Sequence, residues 1–305
     1  MSFIRNLFQL DSVNKTLKRL GYPPKTKLFI VHADDMGLSH ATNLACSRAM
    51  EIGTINSASI MIPCPFSFEA VEYAKLHPQC DIGIHLTLTS EWAGHQWQPV
   101  LGNNVPSLTN SDGFFFETSE ELGTKAILTE VEQELQAQIE KSLAFGLRPT
   151  HLDCHMFTGM LNPDFVKIYI QLGRMYGLPV LLNREKIEKW FRYDVRDFIS
   201  DDEIPVNKLY IATPRLAKKG LAPYYRDLLQ TLHPGLNCLL VHPALDNEEM
   251  KLLTTGHKAY NSVWRQDDFN FFTGDESRKI IFDKNIRLIT WREINEKLKM
   301  NGKGI

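Results

Sequence analysis

The run Lys27-Leu28-Phe29-Ile30-Val31-His32-Ala33-Asp34-Asp35-Met36-Gly37-Leu38-Ser39 constrains this chain more than any other, because an apolar strand leads straight into two adjacent carboxylates. A strand of this kind is normally buried, so carboxylates at its end need a cation, a metal ion or dense hydrogen bonding to offset their desolvation. Two more segments carry residues that ligate metals: Gly83-Ile84-His85-Leu86-Thr87 and Thr150-His151-Leu152-Asp153-Cys154-His155. Successive side chains of a strand point to opposite faces. His151, Asp153 and His155 therefore share one face, and His85 lies on the face of Gly83 and Thr87, opposite Ile82, Ile84 and Leu86. One such histidine is most often a hydrogen-bonded structural residue. Three segments of this type, each closing an apolar run, point instead to a shared site.

Strand-like runs alternate with helical segments along the whole chain, the pattern of a mostly parallel sheet covered by helices. The expected strands are Leu28–His32, Ser57–Ile62, Asp81–Thr89, Thr150–His155, Pro179–Asn183, Lys208–Thr213, Cys238–His242 and Ile286–Thr290. Helix ends are also marked. Ser39 caps a helix closing at Gly53, Thr129 with Glu132 forms a capping box, Asn162-Pro163 opens a helix closing near Gly177, and Thr290 with Glu293 opens the last. With 305 residues, 43% of them hydrophobic, and no linker or composition shift, the chain suits one α/β domain, an irregular (β/α) TIM-like barrel with its active site at the C-terminal ends of the strands. We divide it into an N-terminal helical extension, 1–26, and a barrel domain, 27–305. Ile4, Leu7, Phe8, Leu17 and Leu20 make the extension amphipathic, for packing on the domain or for a dimer or membrane-surface contact.

The motifs resemble those of the YdjC/ChbG family of carbohydrate deacetylases. The family's opening motif runs close to N-A-D-D-F-G-L-S and is similar to His-Ala-Asp-Asp-Met-Gly-Leu-Ser at 32–39. Its G-x-H-x-x-L-T resembles 83–89, its T-H-x-D-x-H resembles 150–155, and its strand ending H-P-G resembles Leu239-Leu240-Val241-His242-Pro243-Ala244. Val105-Pro106-Ser107-Leu108 and Asp112-Gly113-Phe114-Phe115 resemble its substrate-side insertion, here placed around 90–122. The likeness covers about residues 27–298, with the motifs in family order. Departures are Phe157, where many members carry a further His, Ala244 for Gly and Met36 for Phe.

The resemblance implies a hydrolase that removes the N-acetyl group from a chitooligosaccharide-like sugar, acting on the carbon–nitrogen bond of a linear amide. Asp35, His85 and His155 are the implied ligands of one divalent metal ion. His155 is preferred over His151 because it lies nearer the strand's C-terminal end and because the family motif places its ligand there. Nitrogen-rich ligation suits Zn²⁺, whereas the family is often associated with Mg²⁺; both stay open. Asp34 is the expected general base and His242 the expected acid for the leaving amine. His151, Asp153, Arg265 and Trp92 are expected to orient ligands or contact substrate. For Arg265 a surface ion pair is the alternative, and for Trp92, Trp97 and the run Phe114-Phe115-Phe116 the alternative to a sugar-binding lip is anchoring of the loop.

Two other readings keep part of this pattern. A metal-dependent phosphoesterase on a related barrel calls for more ligands and more basic residues than a single Asp-His-His set, and a non-catalytic carbohydrate-binding protein needs neither Asp34 nor His242. A net charge of −2 gives no electrostatic case for nucleic acid or anionic membrane. No stretch reaches the ~20 apolar residues of a membrane span, and residues 1–20 lack the pattern of a signal peptide. GxGxxG, Walker A and GxSxG motifs are absent. The five cysteines, odd in number and without a C-x-x-C pair, fit free thiols in a reducing cytoplasm.

Overall fold

The computed structural model describes residues 2–92, 94–200 and 203–300, with side chains from residue 11 onward. Seven parallel strands form one sheet: β1 (Lys27–Met36), β2 (Ser57–Ile60), β3 (Ile82–Leu86), β4 (Leu152–Cys154), β5 (Lys208–Ile211), β6 (Gly235–Val241) and β7 (Ile286–Leu288). Their order is β4-β3-β2-β1-β6-β5, with β7 paired to β1. β1 is the hub. One edge pairs with β6 from Lys27 to Ala33, and the other pairs with β7 over Lys27–Phe29 and then with β2 from His32 to Met36.

The sheet closes irregularly. Leu152 donates to Pro179 O and accepts from Leu181, each at 2.9 Å, while Val206 donates to Leu182 O at 2.9 Å just before β5. Segment 179–182 thus joins the β4 edge to the β5 edge with a single bridge at Val180 in place of a full ladder. The eight expected strands are all present, seven as strands and Pro179–Asn183 as this short closing segment, in an irregular α/β barrel.

Alternation along β1 sorts the two cores. Phe29, Val31 and Ala33 pack outward with Ile82, Ile84, Val71 and Phe272 under the covering helices, whereas Leu28 and Ile30 face inward with Leu209, Cys238 and Trp291. Leu17 of the helix Ser2–Arg19, and Leu20 in the turn after it, join this inner cluster. The expected Ile4, Leu7 and Phe8 contacts lie outside the described side chains. An apolar floor therefore occupies the barrel below the point where β1 turns polar at His32.

Helix ends follow local chemistry. Ser39 accepts from the Thr42 N–H and Gly53 ends that helix in the left-handed region at φ 91°. Asn162 caps Pro163–Tyr176, which stops at Gly177, and Thr290 accepts from Glu293 N. Thr129 is not a cap: the helix Leu128–Ala144 starts one turn position earlier, behind Ile127, which provides no side-chain bond. The stretch 90–122 holds short 3-10 turns at Gly102–Asn104 and Pro106–Leu108 and the helix Ser119–Lys125. Phe115 and Phe116 are buried, so most of the Phe run anchors this loop. Among the described residues no helix is long and apolar enough to cross a membrane, and the five cysteines are unbridged.

Gly83 faces the barrel interior because His151 occupies the space beside it. A Cβ there would stand 2.6 Å from the His151 ring and its carbonyl oxygen. Gly83→Ala is expected to lower stability by about 1–3 kcal/mol through overpacking. Gly123→Ala, in an exposed helix with only Leu161 at 4.0 Å, is expected to gain about 0.5–1 kcal/mol. Urea unfolding of both variants checks the contrast, which reverses if the interior around Gly83 yields freely.

Candidate active site

Regular alternation would send Asp34 and Asp35 to opposite faces of β1. Both reach the interior because Asp35 adopts φ 69°, in the left-handed region, and the register against β2 shifts between Ala33 and Met36. The turn is held by Leu38 N donating to Asp35 O at 3.2 Å, Gly37 N donating to Asn43 Oδ1 at 2.7 Å and Met61 N donating to Met36 O at 2.8 Å. At Gly37 itself φ is 92° and a Cβ would meet the Ser67 backbone at 3.0 Å, so glycine is required.

Around Asp35 the ligand-type atoms converge. His85 Nε2 stands 3.5 Å and His155 Nδ1 3.4 Å from Asp35 Oδ1, which is buried and accepts no hydrogen bond. Donors at ~2.0–2.2 Å around a tetrahedral ion lie roughly 3.4 Å apart, so this set fits a divalent metal, with room left for water and substrate. Asp35 Oδ2 takes a 2.8 Å bond from Arg265 Nη2. Burial alone would raise the Asp35 carboxyl, but Arg265, with His155 and His242, holds it well below the usual carboxylate range. Arg265 is 1% exposed and also donates Nε to Tyr260 O at 2.8 Å, so it is a buried part of the site and no surface ion pair.

Each imidazole is oriented from behind. His155 turns Nε2 to Glu91 at 2.9 Å, leaving Nδ1 towards Asp35. Against the desolvation that lowers it, Glu91 and Asp35 push His155 up to about 10. His85 has Nδ1 3.0 Å from Asp153 Oδ1, leaving Nε2 towards Asp35. Burial would lower His85, yet Asp153 and Asp34 raise it above its ordinary value. Asp153 itself, although burial opposes ionisation, is held well below the carboxylate range by His85 and His32. His242 Nε2 lies 3.5 Å from Asp34 Oδ2, and its backbone N–H donates to the buried Asp268 at 2.9 Å. Burial keeps His242 below the usual histidine value, with Arg265 and His85 lowering it further against Asp35 and Asp34.

The remaining expected residues sit at two depths. His151 lies below, its ring stacked on Trp291 at 5.3 Å and edge-on to His32 at 5.0 Å, with Nδ1 paired to Thr150 Oγ1 at 2.9 Å. Trp92 is buried near the mouth, under the Arg265 guanidinium at 5.5 Å and beside His257 at 4.4 Å. Trp97 approaches His155 at 6.2 Å.

Sequence reasoning passed over His32, Glu91, Tyr260 and Asp268. For His32 the signal was available: it lies two residues before Asp34, on the same face of the same strand. Glu91 follows β3 in an irregular loop, where no periodicity marks it.

The profile of the family described as YdjC-like protein matches residues 28–282, and the chain belongs to that family. A carbohydrate deacetylase of Thermus thermophilus is 31% identical over 293 residues, covering 92% of this chain and 98% of that protein. A carbohydrate deacetylase of Brevibacillus brevis is 30% identical over 267 residues, covering 87% and 98%. A solved structure from Enterococcus faecalis V583, described as a cellobiose-phosphate cleavage protein, superposes with a TM-score of 0.71 at 23% identity, over 88% of this chain and 99% of that one, and shares the fold.

The Arg265–Asp35 pair sets an electrostatic prediction. Arg265→Met leaves a buried carboxylate without its cation and is expected to cost about 3–5 kcal/mol in chelator-treated protein at pH 7. Because the folded Asp35 carboxyl is depressed, the stabilisation is present above the unfolded carboxylate range and is lost as pH falls. Denaturant unfolding at pH 7 and pH 4 should show the deficit shrinking in acid, because without Arg265 burial raises the Asp35 carboxyl and its protonation relieves the penalty; an equal deficit at both would mean that packing, not charge, is lost.

Proposed function

We propose that this chain is a metal-dependent carbohydrate deacetylase, hydrolysing the N-acetyl group of an amino sugar or a chitooligosaccharide-like oligomer. The observation that supports it most is the convergence of Asp35, His85 and His155 at 3.4–3.5 Å separations, with Asp34 and His242 beside them. The deacetylase names of the relatives agree with it. These three residues would hold a divalent ion, Mg²⁺ or Zn²⁺, which when bound would supply Lewis-acid charge for water activation and for the amide oxygen.

The protein's own groups move the protons. Asp34, with one oxygen 3.2 Å from His32 and the other 3.5 Å from His242, is the base that takes the proton of the attacking water. His242, neutral at rest in its buried position, relays a proton from Asp34 to the departing amine. Arg265 keeps Asp35 ionised and aimed, Glu91 holds His155 Nε2 by a hydrogen bond, and Asp153 faces His85 Nδ1 as an ion-pair contact. A cavity of about 560 Å³ is lined by Ser39, Phe66, His95, Trp97, Phe114 and Glu249, and one of these, Trp97, has its ring centroid 6.2 Å from that of His155. Its size falls in the range of small-molecule sites, and its mix of aromatic faces and polar rim suits a sugar ring.

Acetate release from a panel of N-acetylated mono- and oligosaccharides, before and after chelation and metal reloading, tests the reading. Release that is absent throughout, or indifferent to chelation, would overturn it. His85→Ala and His155→Ala are expected to lose bound metal and activity together. Asp34→Asn should retain metal while turnover falls by roughly 10²–10⁴; elemental analysis beside the assay separates the two cases.

His242→Ala should also retain metal, with a larger defect on amides than on acetate esters. An alkoxide leaving group depends less on a proton donor than an amine does. Equal defects on paired amide and ester substrates would remove His242 from the acid role.

A further inference from the structure

Behind the proposed base lies an imidazole that none of the roles above uses. His32 is 1% exposed and points inward from β1, two residues before Asp34. Its Nδ1 pairs with Ser57 Oγ at 2.9 Å. Its Nε2 is surrounded by Asp153 Oδ2 at 2.8 Å, Ser59 Oγ at 3.1 Å and Asp34 Oδ1 at 3.2 Å. Asp153 turns its other oxygen to His85 Nδ1 at 3.0 Å, and Ser59 donates to Asp153 Oδ2 at 3.0 Å. One ring thus touches the carboxylate proposed as base and the carboxylate that orients a proposed metal ligand.

We infer that His32 is a positioning residue for the hydrolysis, its Nε2 edge tying Asp34 to Asp153 so that Asp34 Oδ2 faces the reaction space and His85 keeps Nε2 towards Asp35. The inference rests on the reading of Asp34 as base. An Asp side chain has two soft torsions, and an acidic pair left alone in this space would rotate apart. The Nε2 edge holds Asp153 by a 2.8 Å hydrogen bond and faces Asp34 Oδ1 as an ion-pair contact at 3.2 Å, which limits that freedom for both. The two serines keep the ring in one orientation, since Ser57 engages the opposite nitrogen. The bond to Asp153 is charge-assisted, which makes it one of the stronger kinds of hydrogen bond. Reaction geometry is steep in position: a misplacement of about 1 Å is worth about 10²-fold in rate.

The test compares His32→Ala with His32→Gln, whose amide nitrogen reaches the Nε2 position, in metal-loaded full-length protein on an N-acetylated saccharide. His32→Ala is expected to keep the wild-type metal content and a KM within about twofold, while kcat falls about 10²-fold. His32→Gln is expected to restore kcat to within about fivefold of wild type by returning a donor to that edge. An unchanged kcat in His32→Ala, or a loss in His32→Gln as large as in His32→Ala, would overturn the inference. Should His32→Ala not fold, His32→Gln decides alone: near-wild-type kcat supports the role and a 10²-fold loss removes it. Metal stoichiometry is the second readout. His32, His151 and Asp153 have donor atoms within 4.8 Å of one another; two ions per wild-type chain, one of them lost in His32→Ala, would make His32 a ligand instead. Asp34→Asn, assayed in parallel, separates the two levels. If it loses turnover while His32→Ala does not, only this inference fails; if it keeps turnover, the base reading fails and this inference with it.

Discussion

Two consecutive carboxylates share one barrel interior only because the backbone at Asp35 turns left-handed, and most of the site depends on that turn. An L-residue in this region costs on the order of 1–2 kcal/mol, least for Asp and Asn, whose short polar side chains tolerate it. The compensation is visible in the surrounding bonds. Asn43 from the following helix and Met61 after β2 fix the backbone at Gly37 and Met36, and Arg265 fixes the Asp35 carboxylate itself. A regular strand would have aimed either Asp34 or Asp35 into the outer apolar layer, among Phe29 and Val31's neighbours, where a carboxylate has no partner.

Charge then decides how the interior is filled. Asp34, Asp35 and Asp153 are all buried, and among the described residues Arg265 is the one permanently charged cation in contact with them. The balance falls to imidazoles. His32 is pushed up to about 10, because Asp153 and Asp34 outweigh the desolvation that would lower it, and His85 and His155 are raised in the same sense. His151, farther from the carboxylates and beside His32, goes the other way: burial and the His32 charge keep it well below the ordinary value. A divalent ion at Asp35, His85 and His155 would replace the protons of those two imidazoles as the positive charge facing the carboxylates.

Much of this was legible in the residues. Period-two alternation placed His85 and the 151–155 trio on interior faces, and apolar runs located every strand to within a few residues. Asp35's conformation was not legible, since Asp-Asp at a strand end carries no mark of a bulge. Nor was Glu91, which acts through a loop whose path depends on tertiary packing. Asp153 and Arg265 were expected near the ligands, but nothing in the sequence said that Arg265, 230 residues away, would pair with Asp35. The Thr129 capping box failed for a related reason. Its spacing is correct, but tertiary contacts of Ser107, which donates to Glu130 and accepts from the Ile127 N–H, start the helix earlier than the local signal requires.

That same helix, Leu128–Ala144, explains how an irregular loop can take part in a site that needs sub-ångström order. Gln138 clamps the backbone of Thr87, accepting from its N–H at 2.9 Å and donating to its carbonyl at 2.7 Å, directly beyond His85 on β3. One turn away Glu134 accepts from the N–H groups of Val100 and Leu101 at 2.9 and 3.0 Å, and Gln138 bonds Glu134 at 2.8 Å. One buried Glu–Gln pair therefore fixes both the end of the strand that carries His85 and the loop that carries Glu91 and Trp97. Neither contact is made by a residue of the reaction, yet together they set the position of His85 relative to the group that orients His155. Burial raises the Glu134 carboxyl above its usual value, and the bonds from Gln138, Leu101 and Val100 oppose that rise. The loop is thereby tied to the same helix as the strand end that carries His85.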